Sequence, residues 1–378
     1  MISRYIYIPY LYYWGMICAI LFNLRYETLL EIPSILSYGL LYTSYIALSL
    51  HLFIILPKFN LGELIILFLV LLLTIVVGIN SNHFSLLYIT YFLVFGTKGM
   101  CFDKIVRVHF LAGLVFCVFI VIGSLSGYVE NVVENDVRLG SGLDFDNRIY
   151  FGYAWPTNFA THVFFILLIY WYLKKGVLNY IEVIIYISIS LLILYFTSSR
   201  LGSGLVLLIV ITSLCYKKES NIKKYICLIG LIPIFAIISI IATICYNTQS
   251  LVWIIANLFL TNRLSIGQNA LESKGFSLFG QEYIMYSGVD SGINYNYIDN
   301  SYLQAAIIWG IPYLIILLTA YVIINYRAYK NKNALLLICI TYAGLSGIIA
   351  QHFLQIFMNP FLLALFANHK CYFSSYNK

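Results

Sequence analysis

The chain has 378 residues, 62% of them hydrophobic and only 10% charged, with a mean hydropathy of +0.89. Soluble chains carry about 25% charged residues, so a soluble globular domain is excluded. Apolar runs recur along the whole length and define an all-α, polytopic membrane protein. The net charge of +7 is sorted by membrane side and makes no case for nucleic acid.

Taken in chain order, the apolar runs predict twelve spans, at roughly 5–22, 33–56, 61–79, 83–97, 106–126, 155–173, 177–196, 201–216, 225–246, 302–325, 334–349 and 352–366. The fourth, eighth, eleventh and twelfth are short for a crossing of about 20 residues, so a re-entrant segment and a count of ten or eleven also fit. The first run lacks a small-residue cleavage site and reads as a retained helix. The eight Cys lie in or beside spans without a Cys-x-x-Cys pair, so neither a disulfide framework nor a zinc site is indicated. No metal or other cofactor is expected. No internal repeat is visible, which argues against an inverted-repeat transporter.

The positive-inside rule orients the chain. With both termini in the cytoplasm, 16 of the 22 Lys and Arg fall on inner segments and 11 of the 15 acidic residues fall outside. Residues 1–378 then form a single integral membrane domain of the plasma membrane with two long outer loops, 127–154 and 247–301. The first loop carries Glu130, Glu134, Asp136, Asp144 and Asp146 without calcium-loop spacing and reads as solvated. Within the second, 251–260 is apolar but too short to span and is expected to lie at the interface as a lid or shoulder, with Trp253 at headgroup depth.

Spans that run inward start at the outer face, where unpaired N–H groups and the helix dipole attract anions. Arg148 precedes the sixth span, Arg200 begins the eighth after Thr197-Ser198-Ser199, and Arg263 lies in the loop before the tenth. A guanidinium fork binds phosphate oxygens in pairs, so the three suit a pyrophosphate. Anchoring a span, or pairing with a loop carboxylate, accounts for Arg148 and Arg263 equally well. Arg200, between two spans among small polar residues, favours function because charge at membrane depth is costly. Asn158, Thr161 and His162 share one helical face, as do Gln351, His352 and Gln355. Interhelical hydrogen bonding explains His162, whereas Asn158 and His352 are substrate-binding candidates, with Tyr302 at the head of the tenth span. Asp299 and Asn300 open that span. An N-cap is one role for the pair. The other is a carboxylate base on a sugar hydroxyl, with Asn300 orienting it.

Four segments carry a resemblance. They are Arg148-Ile-Tyr-Phe-Gly-Tyr-Ala-Trp-Pro-Thr-Asn158, Thr197-Ser-Ser-Arg-Leu-Gly-Ser-Gly204, Asn262-Arg-Leu-Ser-Ile-Gly267 through Leu278-Phe-Gly-Gln281, and Asp299-Asn300 followed after nine residues by Gly310 and then Tyr313. In order and topology they resemble the O-antigen ligase and polymerase superfamily, most closely a Wzy-type repeat-unit polymerase of bacterial capsule, O-antigen or exopolysaccharide. Trp155 stands where a His is common, and Asp299 where the ligases carry His, so the base assignment stays open. The resemblance implies a metal-independent glycosyltransferase with a GT-C-like helical membrane fold. Its substrates would be oligosaccharide repeat units on undecaprenyl pyrophosphate, and a chain-length regulator and flippase would be pathway partners. Arg200 and Arg263, helped by Arg148, would then hold the leaving pyrophosphate, and Asp299 would be the base. Ligase-type transfer and a lipid-linked-sugar flippase are the alternatives. A flippase calls for charges along a mid-span pathway rather than at the outer rim.

Overall fold

A computed structural model describes residues 4–134, 148–216, 222–286 and 296–369. The parts of the expected outer loops at 135–147 and 287–295, with Asp136, Asp144 and Asp146, lie outside these. The described chain is helical, as expected where lipid cannot satisfy backbone polar groups. The helices are α1 (Arg4–Tyr26), α2 (Ser34–Ile55), α3 (Leu61–Ser81), α4 (Phe84–Gly96), α5 (Phe102–Leu125), α6 (Pro156–Leu173), α7 (Tyr180–Thr197), α8 (Arg200–Cys215), α9 (Leu231–Ile244), α10 (Leu251–Phe259), α11 (Arg263–Lys274), α12 (Ser301–Gln304), α13 (Ile311–Lys330) and α14 (Ala334–Ser346). Two short strands, β1 (Val133–Glu134) and β2 (Arg148–Ile149), pair antiparallel at the ends of the first long loop.

Seven helices among the described residues are long and apolar enough to cross a membrane, not twelve. They are Ser34–Lys58, α3, α5, α6, α7, Ile222–Ile244 and α13. The difference has identifiable causes. Helices α4, α8 and α14 are apolar but shorter. Helix α1, the expected first span, is not among the seven either. The expected tenth span stays in the count as α13 but is broken at its start: α12 runs into a π-helical turn at Ala305–Trp309, and α13 restarts after Gly310. The expected twelfth span contains only 3-10 turns at Gln351–Phe353 and Pro360–Leu365. Its backbone is irregular where it is buried in protein, with Phe361, Leu363 and Ala364 fully buried, a setting where non-helical backbone survives at membrane depth. Cys101 is disulfide-bonded, which the cysteine spacing did not suggest.

The chain divides into two compact units, Met1–Lys58 with Phe92–Asn221 and Phe366–Lys378, and Phe59–Tyr91 with Ile222–Leu365, the second division falling inside α4. In the first unit α1 packs on α2 and α5, α6 on α5, α7 and α8, and α7 on α8. Helix α6 is its centre: 72% of its apolar window is buried against 22% for α7. Phe164, Phe165, Leu168 and Trp171 fill that centre at no exposure. Capping boxes start α3 (Asn60 with Glu63) and α7 (Asn179 with Glu182), each satisfying two N–H groups that would otherwise lack partners.

In the second unit α14 is the buried helix, with Leu336, Leu337, Cys339, Ile340 and Ala343 fully enclosed. Helices α9 and α13 pack against it. Helix α10 matches its expected shape. Its nine residues rise only about 1.5 Å each, far short of a bilayer core. Leu251, Val252, Ile255 and Phe259 are exposed, and Asn257 is buried.

Candidate functional site

The second unit holds the densest set of expected residues, arranged around the broken helix. Asn300, not Asp299, caps α12: its side-chain oxygen accepts from the N–H groups of Tyr302 and Leu303 at 3.0 and 3.1 Å. Ser301 anchors the same end, its N–H donating to Gly347 O at 2.9 Å and its hydroxyl to Ala350 O at 2.6 Å. Tyr302 is fully buried and donates to Gly344 O at 2.7 Å. The π turn leaves carbonyls that the normal helical ladder would use, and the loop before it supplies the donors. Ser277 N–H reaches Ala306 O at 3.3 Å, and Gln281 N–H reaches Ile308 O at 3.0 Å. The Gln281 side-chain amide reaches Ile307 O at 3.1 Å. The Leu278–Gln281 and Asp299–Gly310 segments, separate motifs in the sequence, are thus one strapped structure. Two glycines allow the close approach. Gly310 has φ of +95° with Leu278 O 2.6 Å from where a Cβ would stand, and Gly280 has φ of +84° against Val77 O at 3.0 Å.

The cap is supplied by Asn300, and Asp299 faces Arg263 instead. Its Oδ2 lies 3.2 Å from Arg263 Nε, both side chains being 20% exposed. Arg263 opens α11 after two left-handed residues, Thr261 and Asn262. Asn257 on α10 fixes that opening by accepting from the N–H groups of Leu264 and Ser265 at 3.0 and 3.1 Å. Arg263 Nε also donates to Ile349 O at 2.9 Å, and Nη1 to Leu260 O at 3.3 Å and to the Thr261 hydroxyl. Its Nη2 has no partner among the described residues. A guanidinium held on one edge and open on the other is arranged to take an oxyanion. The segment that accepts from Arg263 and Ser301 continues into His352, which is 3% exposed, and Gln351, which accepts from Gln304 at 3.3 Å.

The first unit holds Arg148, Arg200 and Asn158. Arg148 Nε donates to Thr197 O at 3.2 Å, at the end of α7. After the left-handed Ser198, exposed Arg200 begins α8 and makes no hydrogen bond or ion pair among the described residues. Arg148 and Arg200 therefore flank one turn, and Arg200 is not the sequestered charge that its sequence position suggested. Asn158 is buried and donates to Glu27 Oε2 at 2.6 Å.

Glu27 is the residue that sequence reasoning passed over. It is a carboxylate with 7% exposure, and burying such a group is costly unless it is hydrogen-bonded. Beside Arg25 at the end of an apolar run it reads as an ordinary interfacial charge. The main chain also pins it, since Ala154 N–H donates to Glu27 O at 2.9 Å. Next to it Tyr153 shares a 2.7 Å hydrogen bond with His162. Burial pushes the Tyr153 phenol well up, with Cys117 and then Glu27 adding to the effect. Tyr153 thus stays neutral and acts as a hydrogen-bonding post. Glu27→Ala is expected to lower stability by about 1–3 kcal/mol, because the buried Asn158 amide loses its acceptor. Glu27→Gln, which keeps an acceptor oxygen, should cost much less. The thermal midpoints of the purified variants check the pair.

The structure thus brings Arg263, Asp299, Asn300, Tyr302 and His352 together on one unit, and Arg148, Arg200 and Asn158 on the other. The fold and these residues define a multi-pass α-helical membrane protein with polar clusters at helix starts. Comparison with family models, curated proteins and solved structures gives no match.

Proposed function

We propose that the protein is a membrane glycosyltransferase that polymerises lipid-pyrophosphate-linked oligosaccharide repeat units at the outer face of a bacterial plasma membrane. The observation that carries this reading is the Arg263–Asp299 pair at the head of the broken helix, where an anion-binding edge and a carboxylate stand together. In the reaction an acceptor hydroxyl oxygen bonds to the anomeric carbon of the donor sugar as the bond from that carbon to the lipid pyrophosphate breaks. Asp299 takes the hydroxyl proton, and Arg263 neutralises the charge that develops on the departing pyrophosphate. Arg148 and Arg200, in the first unit, bind a lipid-linked anion there. The four segments that resemble the polymerase superfamily include all of these residues. Charges at helix starts rather than along a span favour chemistry over transport.

The test is purified protein in lipid nanodiscs, given a pyrophosphate-linked repeat unit and scored for a ladder of longer glycans. Movement of the lipid-linked sugar across the bilayer without a ladder overturns the reading in favour of a flippase. Transfer only to an unrelated acceptor overturns it in favour of a ligase. The outer-face assignment rests on the charge distribution, since seven long helices do not supply the even count used to orient the chain. Glu130→Cys and Glu272→Cys, both exposed positions, should react with an impermeant thiol reagent before the plasma membrane is opened. Labelling only after opening reverses the orientation.

A further inference from the structure

The turn between α10 and α11 uses two residues poorly suited to it. Asn262 N–H donates to Asn257 O at 2.8 Å and Thr261 N–H to Leu258 O at 3.0 Å. This pair of bonds closes a helix whose following residue, here Thr261, is left-handed. Glycine is usual at that position, because it takes positive φ without a steric penalty. Thr261 has φ of +52°, an outlier for a β-branched residue. Asn262, which precedes α11, is left-handed as well, with φ of +62°, and its side chain makes no capping hydrogen bond.

The cap comes from the preceding helix instead. A capping residue ordinarily accepts from the second or third N–H group of the helix it opens. In α11 those belong to Leu264 and Ser265, and both donate to Asn257 Oδ1. The other edge of the amide is used too: Nδ2 donates to the Tyr246 hydroxyl at 3.1 Å and to Ser265 Oγ at 3.2 Å. Asn257 is 6% exposed in a helix otherwise made of Leu, Val, Trp, Ile, Ala and Phe. Arg263 is the first residue of α11, so its place is set from α10 and not by its neighbour. The Thr261 hydroxyl then accepts from Arg263 Nη1, a contact that glycine could not make. Strained residues of this kind collect where function demands a fixed geometry.

We infer that Asn257 and Thr261 are positioning residues for Arg263. Asn257 sets the start of α11, and Thr261 holds the guanidinium by Nη1, so that Nε meets Asp299 and the Nη2 edge stays open. The inference rests on the role given to Arg263 under Proposed function. Its test titrates the full-length protein in nanodiscs with inorganic pyrophosphate. Affinity is expressed per folded protein, and thermal midpoints are measured alongside. In Thr261→Gly the midpoint should hold or rise, because the left-handed strain is gone. Binding should nevertheless weaken about threefold, because Nη1 has lost the hydroxyl. Asn257→Ala should lower the midpoint and weaken binding about tenfold. In an Arg263→Ala background neither substitution should weaken binding further, as expected of residues that act through that guanidinium. If Asn257→Ala fails to insert, Thr261→Gly carries the test.

Wild-type affinity in Thr261→Gly overturns the inference, since a purely structural turn gains from glycine and loses nothing. Further losses in the Arg263→Ala background do so as well, because the two residues then act elsewhere. So does wild-type binding that is indifferent to Arg263→Ala. The two proposals fail separately. Binding that follows the expected pattern without a glycan ladder sinks the polymerase and leaves the positioning role. A ladder from wild-type protein, with wild-type affinity in Thr261→Gly, does the reverse.

Discussion

Asp299→Asn is expected to insert and fold as the wild type does, yet to lose about 10²–10⁴-fold in polymer formed per unit of membrane protein, the range of general-base catalysis. The structure sharpens this expectation. A capping residue replaced by Asn would keep its function, but the cap of α12 belongs to Asn300. Any loss in Asp299→Asn therefore reports on charge and proton transfer rather than on helix initiation. Asp299→His should recover part of the rate with its pH dependence moved upward. Imidazole is an acceptor only above its own pKa, near 6.5, so activity that a carboxylate supports at lower pH is lost there. Arg263→Ala should also abolish polymer, and Arg263→Lys should rescue it poorly, since a point charge does not reproduce the fork. Because Asp299 and Arg263 touch, the double variant should lose less than the sum of the two single losses. Near wild-type rates in both Asp299→Asn and Asp299→Ala would remove Asp299 as the base and move the search to His352.

Gly310→Ala is expected to be the most destabilising small substitution in the second unit. Gly310 has φ of +95° and ψ of 155°, a region that L residues avoid at about 1–3 kcal/mol. Its new Cβ would stand 2.6 Å from Leu278 O and 2.9 Å from Leu278 C. Those are backbone atoms with no rotamer to change, and overpacking of this kind costs about 1–3 kcal/mol more. The sum, about 2–6 kcal/mol, falls on the contact that straps Leu278–Gln281 to the π turn. The measurement is resistance to thermal or denaturant unfolding in detergent. Gly39→Ala is the control, because nothing lies within 4 Å of its Cβ position and a helical Gly→Ala change stabilises modestly. A Gly310→Ala protein as stable as wild type would show that the strap gives way without cost.

The residues themselves determined the class. Hydropathy is a local sum, so a multi-pass helical membrane protein follows from composition, as do the short apolar segment of α10 and a helix start at Asp299 and Asn300. The polar segments around Arg148, Arg200, Arg263 and Asp299 also stand out locally, because a lipid-facing helix has no use for them. The number of long helices was not legible. An apolar run such as 352–366 has the same hydropathy whether lipid or protein surrounds it, and only burial within protein permits its short 3-10 turns. The division of roles between Asp299 and Asn300 likewise required geometry, since both residue types cap helices. The pairings that define the clusters came from tertiary structure alone. Arg263 meets Asp299, Gln281 meets the π turn, and Asn158 meets Glu27 across 131 residues of sequence. Such contacts are set by which helix faces pack together, and no spacing along the chain encodes them.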